Sequence, residues 1–298
     1  MNPQAFFFGN GGGTCKTLDD VKRLTRTPLS HIEVGTITVK NRPGNTGDVF
    51  YVDANGTTWN AIGMTNGGTE YYRRVLPEMV AVAQAAGKEL IANIAPIDPG
   101  DTEKLCELCH DASVRFITFN GGCPNAWAEG VQKKIVSHDP EALNREVRSV
   151  FSVVGGTDIT VNIKFTPFQG HRILRGEVAS VLSPYPVVLL GPNTLPNQER
   201  TREENGRPAI SFRSGEKEVH VGGMGGTELL SYAIQELEAF RLLLPDHPFI
   251  SLGAVSKGAD VHERLRRGAL GVQVTSAYYA SGDPHVFSDI LTEYAALI

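Results

Sequence analysis

The chain has 298 residues, 41% of them hydrophobic and 20% charged, with a formal net charge of −5. That length and composition allow a sizeable core and exclude general disorder, and the acidic balance excludes a duplex-binding surface, so no nucleic acid partner is expected. No apolar run reaches the ~18 residues of a membrane span. The first eight residues lack the start of a signal peptide, and four cysteines do not make a disulfide scaffold, so a cytoplasmic protein is expected.

The apolar pattern alternates strands and helices. A first strand over 4–9 leads into the glycine loop 9–13. Thr17 is placed to cap a helix with Leu18, Val21 and Leu24 inward and Asp20 in its first turn. His31–Gly35 reads as the second strand, 70–86 as a helix and Glu89–Ala95 as the third strand. A helix over 101–112 carries Leu105, Leu108, Cys109 and Ala112 at i, i+3, i+4, i+7. Val114–Phe119 is the fourth strand, with a helix over 139–152 after it. Ile159–Lys164 alternates cleanly as the fifth strand and puts Thr160, Asn162 and Lys164 on one face. Val187–Leu190 is the sixth strand, and a long helix follows, marked by Leu230, Ala233, Ile234, Leu237 and Leu244. Phe249–Leu252, a helix over 259–267 stopped by Gly268, and Gly271–Val274 complete eight strands. The last helix is expected to start with Asp283 as cap and Pro284 at its first position, and to bury Phe287, Ile290, Leu291 and Tyr294.

This order predicts an α/β fold, a single-domain (β/α)8 TIM barrel. Residues 37–60 and 193–225 follow strands two and six. They read as antiparallel excursions over the C-terminal face, with short β stretches at Val49–Val52, Ala209–Phe212 and Glu218–Val221. Glycine is in excess, 32 of 298 residues against an average near 7%. Its clusters let a backbone approach a ligand, which points to a bound cofactor.

Active-site residues of such barrels sit at strand C-terminal ends. Here these ends carry Asn93, Asn120, Cys123, Asn125, Lys164 and Asn193, joined by Asn60 from the first excursion. Asparagine offers donor and acceptor without charge, so a ring of them suits a planar, amide-rich heterocycle; each also fits a strand end or turn. Cys123 lies in a Gly- and Pro-flanked loop where a thiol can act as base or nucleophile, or serve as a small buried apolar group. Lys164 can set a cation against a developing anion, or form a rim salt bridge. Cys106-Glu107-Leu108-Cys109-His110 has the spacing of c-type haem attachment. It lies within an amphipathic helix with no export signal, so haem is not expected. A zinc site would need two further ligands, and no metal is expected.

Together these motifs resemble the dihydroorotate dehydrogenases, FMN-dependent (β/α)8 barrels, over nearly the whole chain. Ile32-Glu33-Val34-Gly35-Thr36 with Pro43-Gly44-Asn45 is similar to the second-strand motif of the membrane-associated class. Asn60-Ala61-Ile62-Gly63-Met64-Thr65-Asn66 resembles the substrate loop. Asn120-Gly121-Gly122-Cys123-Pro124-Asn125 resembles the loop of the catalytic base, in the cysteine form of the soluble class. Gly222-Gly223-Met224-Gly225-Gly226 resembles a flavin loop. The resemblance implies oxidation of dihydroorotate to orotate in pyrimidine biosynthesis: Cys123 removes the C5 proton and a hydride passes from C6 to flavin N5. It implies Lys164 beneath the flavin, and substrate contacts from Asn60, Gly63, Met64, Asn120, Asn125, Asn193 and Thr194. For FMN it implies Gly11, Gly12, Lys16, Gly35, Thr36, Asn93, Asn120, Lys164, Gly225, Gly226, Gly253, Ala254, Thr275 and Ser276.

Gly35 stands where the soluble class has a lysine that Lys16 is placed to replace, Gly122 replaces a serine, and Ala254 a glycine. No helical extension for docking quinone precedes the barrel, so a membrane oxidant is not expected. A homodimer is expected from the soluble class. The electron acceptor stays open between fumarate, NAD through a partner subunit and another oxidant. A related FMN oxidoreductase acting on another cyclic amide or enone remains the alternative.

Overall fold

Short runs dominated by aliphatic, β-branched and aromatic residues give eight elements that must be covered on both sides, the condition under which parallel strands close into a barrel. In the computed structural model, which describes residues 6–298, they do so. The strands are β1 Phe7–Asn10, β2 His31–Ile37, β3 Glu89–Ile94, β4 Phe116–Asn120, β5 Thr160–Lys164, β6 Val187–Gly191, β7 Phe249–Ser251 and β8 Gly271–Val274. They pair in parallel in sequence order, and β1 against β8 closes the cylinder. Residues 4 and 5 of the expected first strand lie outside the described residues.

Helices α1 Leu18–Leu24, α2 Gly68–Ala85, α3 Asp101–Asp111, α4 Pro140–Val154, α5 Arg172–Leu182, α6 Leu230–Leu243 and α7 Gly258–Arg266 lie between the strands, and the short α8 Ser276–Ser281 and α9 His285–Ala295 follow β8. The expected cap of α1 is present as a reciprocal box: the Thr17 side chain accepts from Asp20 N–H, and Asp20 accepts from Thr17 N–H. The start of the last helix needs correcting by one residue. Pro284 is the N-cap, and Asp283 Oδ1 accepts from His285 N–H at 2.9 Å. Cys106 and Cys109 are both buried in the core under α3. Burial pushes the Cys106 thiol up to about 12 and raises Cys109 as well, so the Cys-x-x-Cys-His spacing is a packing pattern.

Helix α5 has no counterpart in the sequence reading. Its inward seam includes a charged residue, Arg175, which is buried and meets Glu236 of α6 in two hydrogen bonds of 2.7 and 2.9 Å. A third donor, Phe168 N–H, completes the carboxylate at 2.9 Å, the condition for a tolerable buried ion pair.

The two excursions cover the C-terminal face as expected, but they do so by interlocking. Leu195–Gln198, Gly222–Gly226, Thr57–Asn60 and Phe50–Val52 form one four-stranded antiparallel sheet. Lys217–Val219, Ser211–Ser214 and Gly47–Asp48 form another. The stretch expected at Ala209–Phe212 is a strand two residues later. The Gly222–Gly226 segment, expected as a loop, is a strand paired with Thr57–Asn60. A small core of Trp59, Leu195, Ile210, Phe212, Val219 and Met224 holds this cap together.

Candidate active site

The barrel interior changes character along its axis. An apolar plug includes Phe7, Ile91, Leu190, Ile250 and Leu252. A polar layer is built around Glu33, which is fully buried. Its carboxylate accepts from Gly12 N–H (2.9 Å), Asn93 Nδ2 (2.7 Å), Thr118 Oγ1 (2.9 Å) and Gln273 Nε2 (2.8 Å). Asn162 extends the layer by donating to Thr118 Oγ1 at 3.2 Å. Four donors satisfy this buried carboxylate, which has no ion-pair partner within 4.0 Å among the described residues. The signal for Glu33 was an acid inside the buried strand run Ile32–Val34.

At the C-terminal mouth lies a cavity with about 960 Å³ of empty space, part of it open to solvent. It brings together Lys16 and Gly11 from the first loop, Gly35 and Thr36 from β2, Asn60, Gly63 and Met64 from the first excursion, and Asn120, Cys123 and Asn125 after β4. Lys164 from β5, Asn193 and Thr194 after β6, Gly225, Gly253, Thr275 and Ser276 complete it. Gly226 and Ala254 line an adjoining smaller cavity that shares Gly253, Thr275 and Ser276 with the main one. Gly12 and Asn93 stand one layer below the lining of these cavities: Gly12 N–H and Asn93 Nδ2 donate to Glu33, while Asn93 Oδ1 is buried without a partner among the described residues. Wall residues that sequence reasoning missed include Phe50, Thr58 and Tyr279. Tyr279 closes over the first loop by donating to the Gly13 carbonyl.

The asparagines are fixed to one another and to backbone. Asn125 Nδ2 donates to Asn60 Oδ1 (2.8 Å), Asn60 Nδ2 to Gly223 O (3.2 Å), Asn193 Nδ2 to Gly122 O (2.6 Å) and Asn120 Nδ2 to Thr36 Oγ1 (3.1 Å). Asn120 Oδ1 is buried with no partner among the described residues, an unused acceptor on a residue that lines the cavity. Neither Lys16 nor Lys164 has an ion-pair partner within 4.0 Å among the described residues. Burial lowers the Lys16 pKa, opposed by Asp20. Burial raises the Cys123 thiol pKa, while the Asn125 backbone N–H and the cations Lys164, Arg42 and Lys133 pull it back down.

The family model of dihydroorotate dehydrogenase matches residues 4–298. The chain belongs to the dihydroorotate dehydrogenase family. It is thus an oxidoreductase of a family acting on a CH–CH bond. It is 25% identical over 292 residues to dihydroorotate dehydrogenase A (fumarate) of Lactococcus lactis subsp. lactis, covering 96% of this chain and 88% of that protein. The corresponding protein of subsp. cremoris is 24% identical over 301 residues, with the same coverages. The fold is that of ligand-free DHODH from Eimeria tenella, with a TM-score of 0.81 at 17% identity over 99% of this chain and 88% of that one. Its complex with ferulenol gives 0.79 at 16% identity, covering 99% and 85%.

Against the family pattern, Gly35 and Gly122 are steric requirements. Gly35 has φ +134°, and a Cβ there would lie 2.5 Å from the Asn93 carbonyl oxygen, so the lysine of the soluble class has no room. A Cβ on Gly122 would meet Thr166 Oγ1 at 2.7 Å and the Phe165 backbone at 2.8 Å. Lys16 lines the cavity that a Gly35 side chain cannot reach. Among the described residues no helix is long and apolar enough to cross a membrane, and no cluster of three metal-ligating side chains occurs.

Proposed function

We propose that this chain binds FMN at the barrel mouth and oxidises dihydroorotate to orotate, with Cys123 as the base that takes the C5 proton. The observation that carries this reading is the sharing of one cavity by Cys123, Lys164 and the four asparagines Asn60, Asn120, Asn125 and Asn193. The cavity residues fit a flavin: two lysines without ion-pair partners, a free Asn120 acceptor, and an adjoining compartment lined by Gly226, Ala254, Thr275 and Ser276 for a phosphate. Bound there, FMN would supply what no side chain offers, an acceptor for two electrons and the second hydrogen.

The chain's own groups do the rest. The asparagine ring presents fixed donors and acceptors to the amide edges of a pyrimidine and holds its C5–H toward Cys123. Lys164, at 6% exposure, keeps a cation in a largely dry wall, where it stabilises electron density arriving in the cavity. Lys164, Arg42 and Lys133 favour the Cys123 thiolate against the burial that disfavours it.

Anaerobic titration with dihydroorotate tests the reading. Yellow protein should bleach; protein that stays oxidised under excess dihydroorotate refutes it. Fumarate, named for the Lactococcus relatives, is the first oxidant to try for recovery of colour. The absence of a side chain at Gly35 favours a second reading, oxidation of another cyclic amide or enone; the same bleaching assay run over such compounds separates the two. Equilibrium sedimentation checks the homodimer expected of the soluble class.

A further inference from the structure

We propose that Arg264 is a positioning residue for the phosphate end of the flavin: acting through the Gly253–Ala254 peptide, it makes the site select FMN over riboflavin. This rests on the FMN reading above and deepens it.

Arg264 lies on α7 and is fully buried, one of the two largest side chains to be so. Buried arginines are ordinarily matched to carboxylates, as Arg175 is to Glu236 here. Arg264 has no carboxylate within 4.0 Å among the described residues. Its single hydrogen bond runs from Nη2 to the Gly253 carbonyl at 3.0 Å, and Nε and Nη1 are without partners. Burial lowers its pKa to about 10, so the guanidinium stays charged at neutral pH. A cation in this position calls for an anion close by.

The one bond Arg264 makes points to where that anion sits. The Gly253–Ala254 peptide is trans, so its C=O and N–H project in opposite directions. The oxygen faces Arg264. The Ala254 N–H therefore faces away from it, and it has no acceptor among the described residues. Gly253 (φ +81°) and Ala254 (φ +55°) are both left-handed, a conformation unfavourable to a non-glycine residue. Both residues line the smaller cavity, whose wall contains no acidic or basic side chain. The cavity thus offers neutral donors, with one positive charge directly behind one of them. A cation bonded to the carbonyl polarises the peptide and strengthens its N–H as a donor. That arrangement suits a phosphate and gives nothing to the hydroxyl end of riboflavin.

The test uses flavin-stripped full-length protein titrated separately with FMN and with riboflavin, read by quenching of flavin fluorescence. Arg264→Met should weaken FMN binding about 10- to 100-fold, the range for losing one charge a peptide's width away, and leave riboflavin binding within about twofold. Arg264→Lys should restore most of the preference. If Arg264→Met does not fold, Arg264→Gln, which keeps a donor without the charge, carries the same expectation of a lost preference. Equal loss of both flavins would assign Arg264 to packing alone, and an unchanged preference would remove its role; either overturns the proposal. Wild-type protein that binds neither flavin refutes the FMN reading itself, a distinct result.

Discussion

The thiol of Cys123 sets a measurable pH dependence. Burial holds its pKa above the ordinary thiol range, so the thiol and not the thiolate predominates at neutral pH. If thiolate is the base, the rate of flavin reduction by dihydroorotate rises about tenfold per pH unit from neutrality until the raised pKa is passed. The sign is fixed by chemistry: deprotonation creates the base, so activity is lost as pH falls. Two variants separate this from a substrate ionisation. Cys123→Ser should abolish the alkaline limb and slow reduction by about 10²–10⁴-fold, with orotate affinity changed less than about threefold. Lys133→Met acts from behind. Lys133 shares a second small cavity with Cys123, where Nζ donates to the carbonyls of Pro96 and Ile97. Removing that cation should move the limb to higher pH, by up to about one unit. Anaerobic stopped-flow between pH 6 and 10 reads all three. A wild-type rate flat across that range, or a serine variant that keeps the limb, refutes the assignment.

Gly122→Ser restores the residue of the family pattern yet should lower stability by about 1–3 kcal/mol, because its Cβ has no room against Thr166 and Phe165; thermal unfolding reads this. Arg175→Met leaves Glu236 as an uncompensated buried charge and should cost about 3–5 kcal/mol in denaturant unfolding. His31, packed on Phe7 with ring centroids 4.2 Å apart, has its pKa lowered by burial to about 4. The unfolded chain therefore takes up the proton first. Stability from this group is complete well above pH 6.5 and declines as pH falls toward 4, by about 2.5 kcal/mol at pH 4.5. Unfolding at pH 7 and 4.5 should show that difference in the wild type and not in His31→Phe.

Most of the barrel was legible because parallel strands buried on both faces read as apolar runs, and turn residues mark their ends. Helix α5 was not, because Arg175 interrupts its inward stripe and only its partner on α6 makes that burial affordable. The pairing of Thr57–Asn60 with Gly222–Gly226 joins residues more than 160 positions apart and has no local signature. Glycine is also disfavoured in strands; here close neighbours leave no space for a side chain, a Cβ on Gly226 falling 2.2 Å from the Gly56 carbonyl oxygen and one on Gly223 2.2 Å from Thr194 Oγ1. At the site, Cys123, Lys164 and the asparagines stood out by type and by position at strand ends. Phe50, Thr58 and Tyr279 reach the cavity only through tertiary packing. That Asn93 and Gly12 also donate to Glu33 is visible only once the barrel is assembled.

Glu33 also bears on how the polypeptide is completed. One of its oxygens is satisfied by Gln273, 240 residues downstream. A nascent chain still short of β8 leaves that oxygen to Thr118 alone and leaves the edges of β1 and β7 without their shared partner strand. The seam between first and last strands is therefore where the whole molecule commits. A fragment that ends before residue 273 is expected to remain loose however good its helices are, until the missing piece is added back in trans.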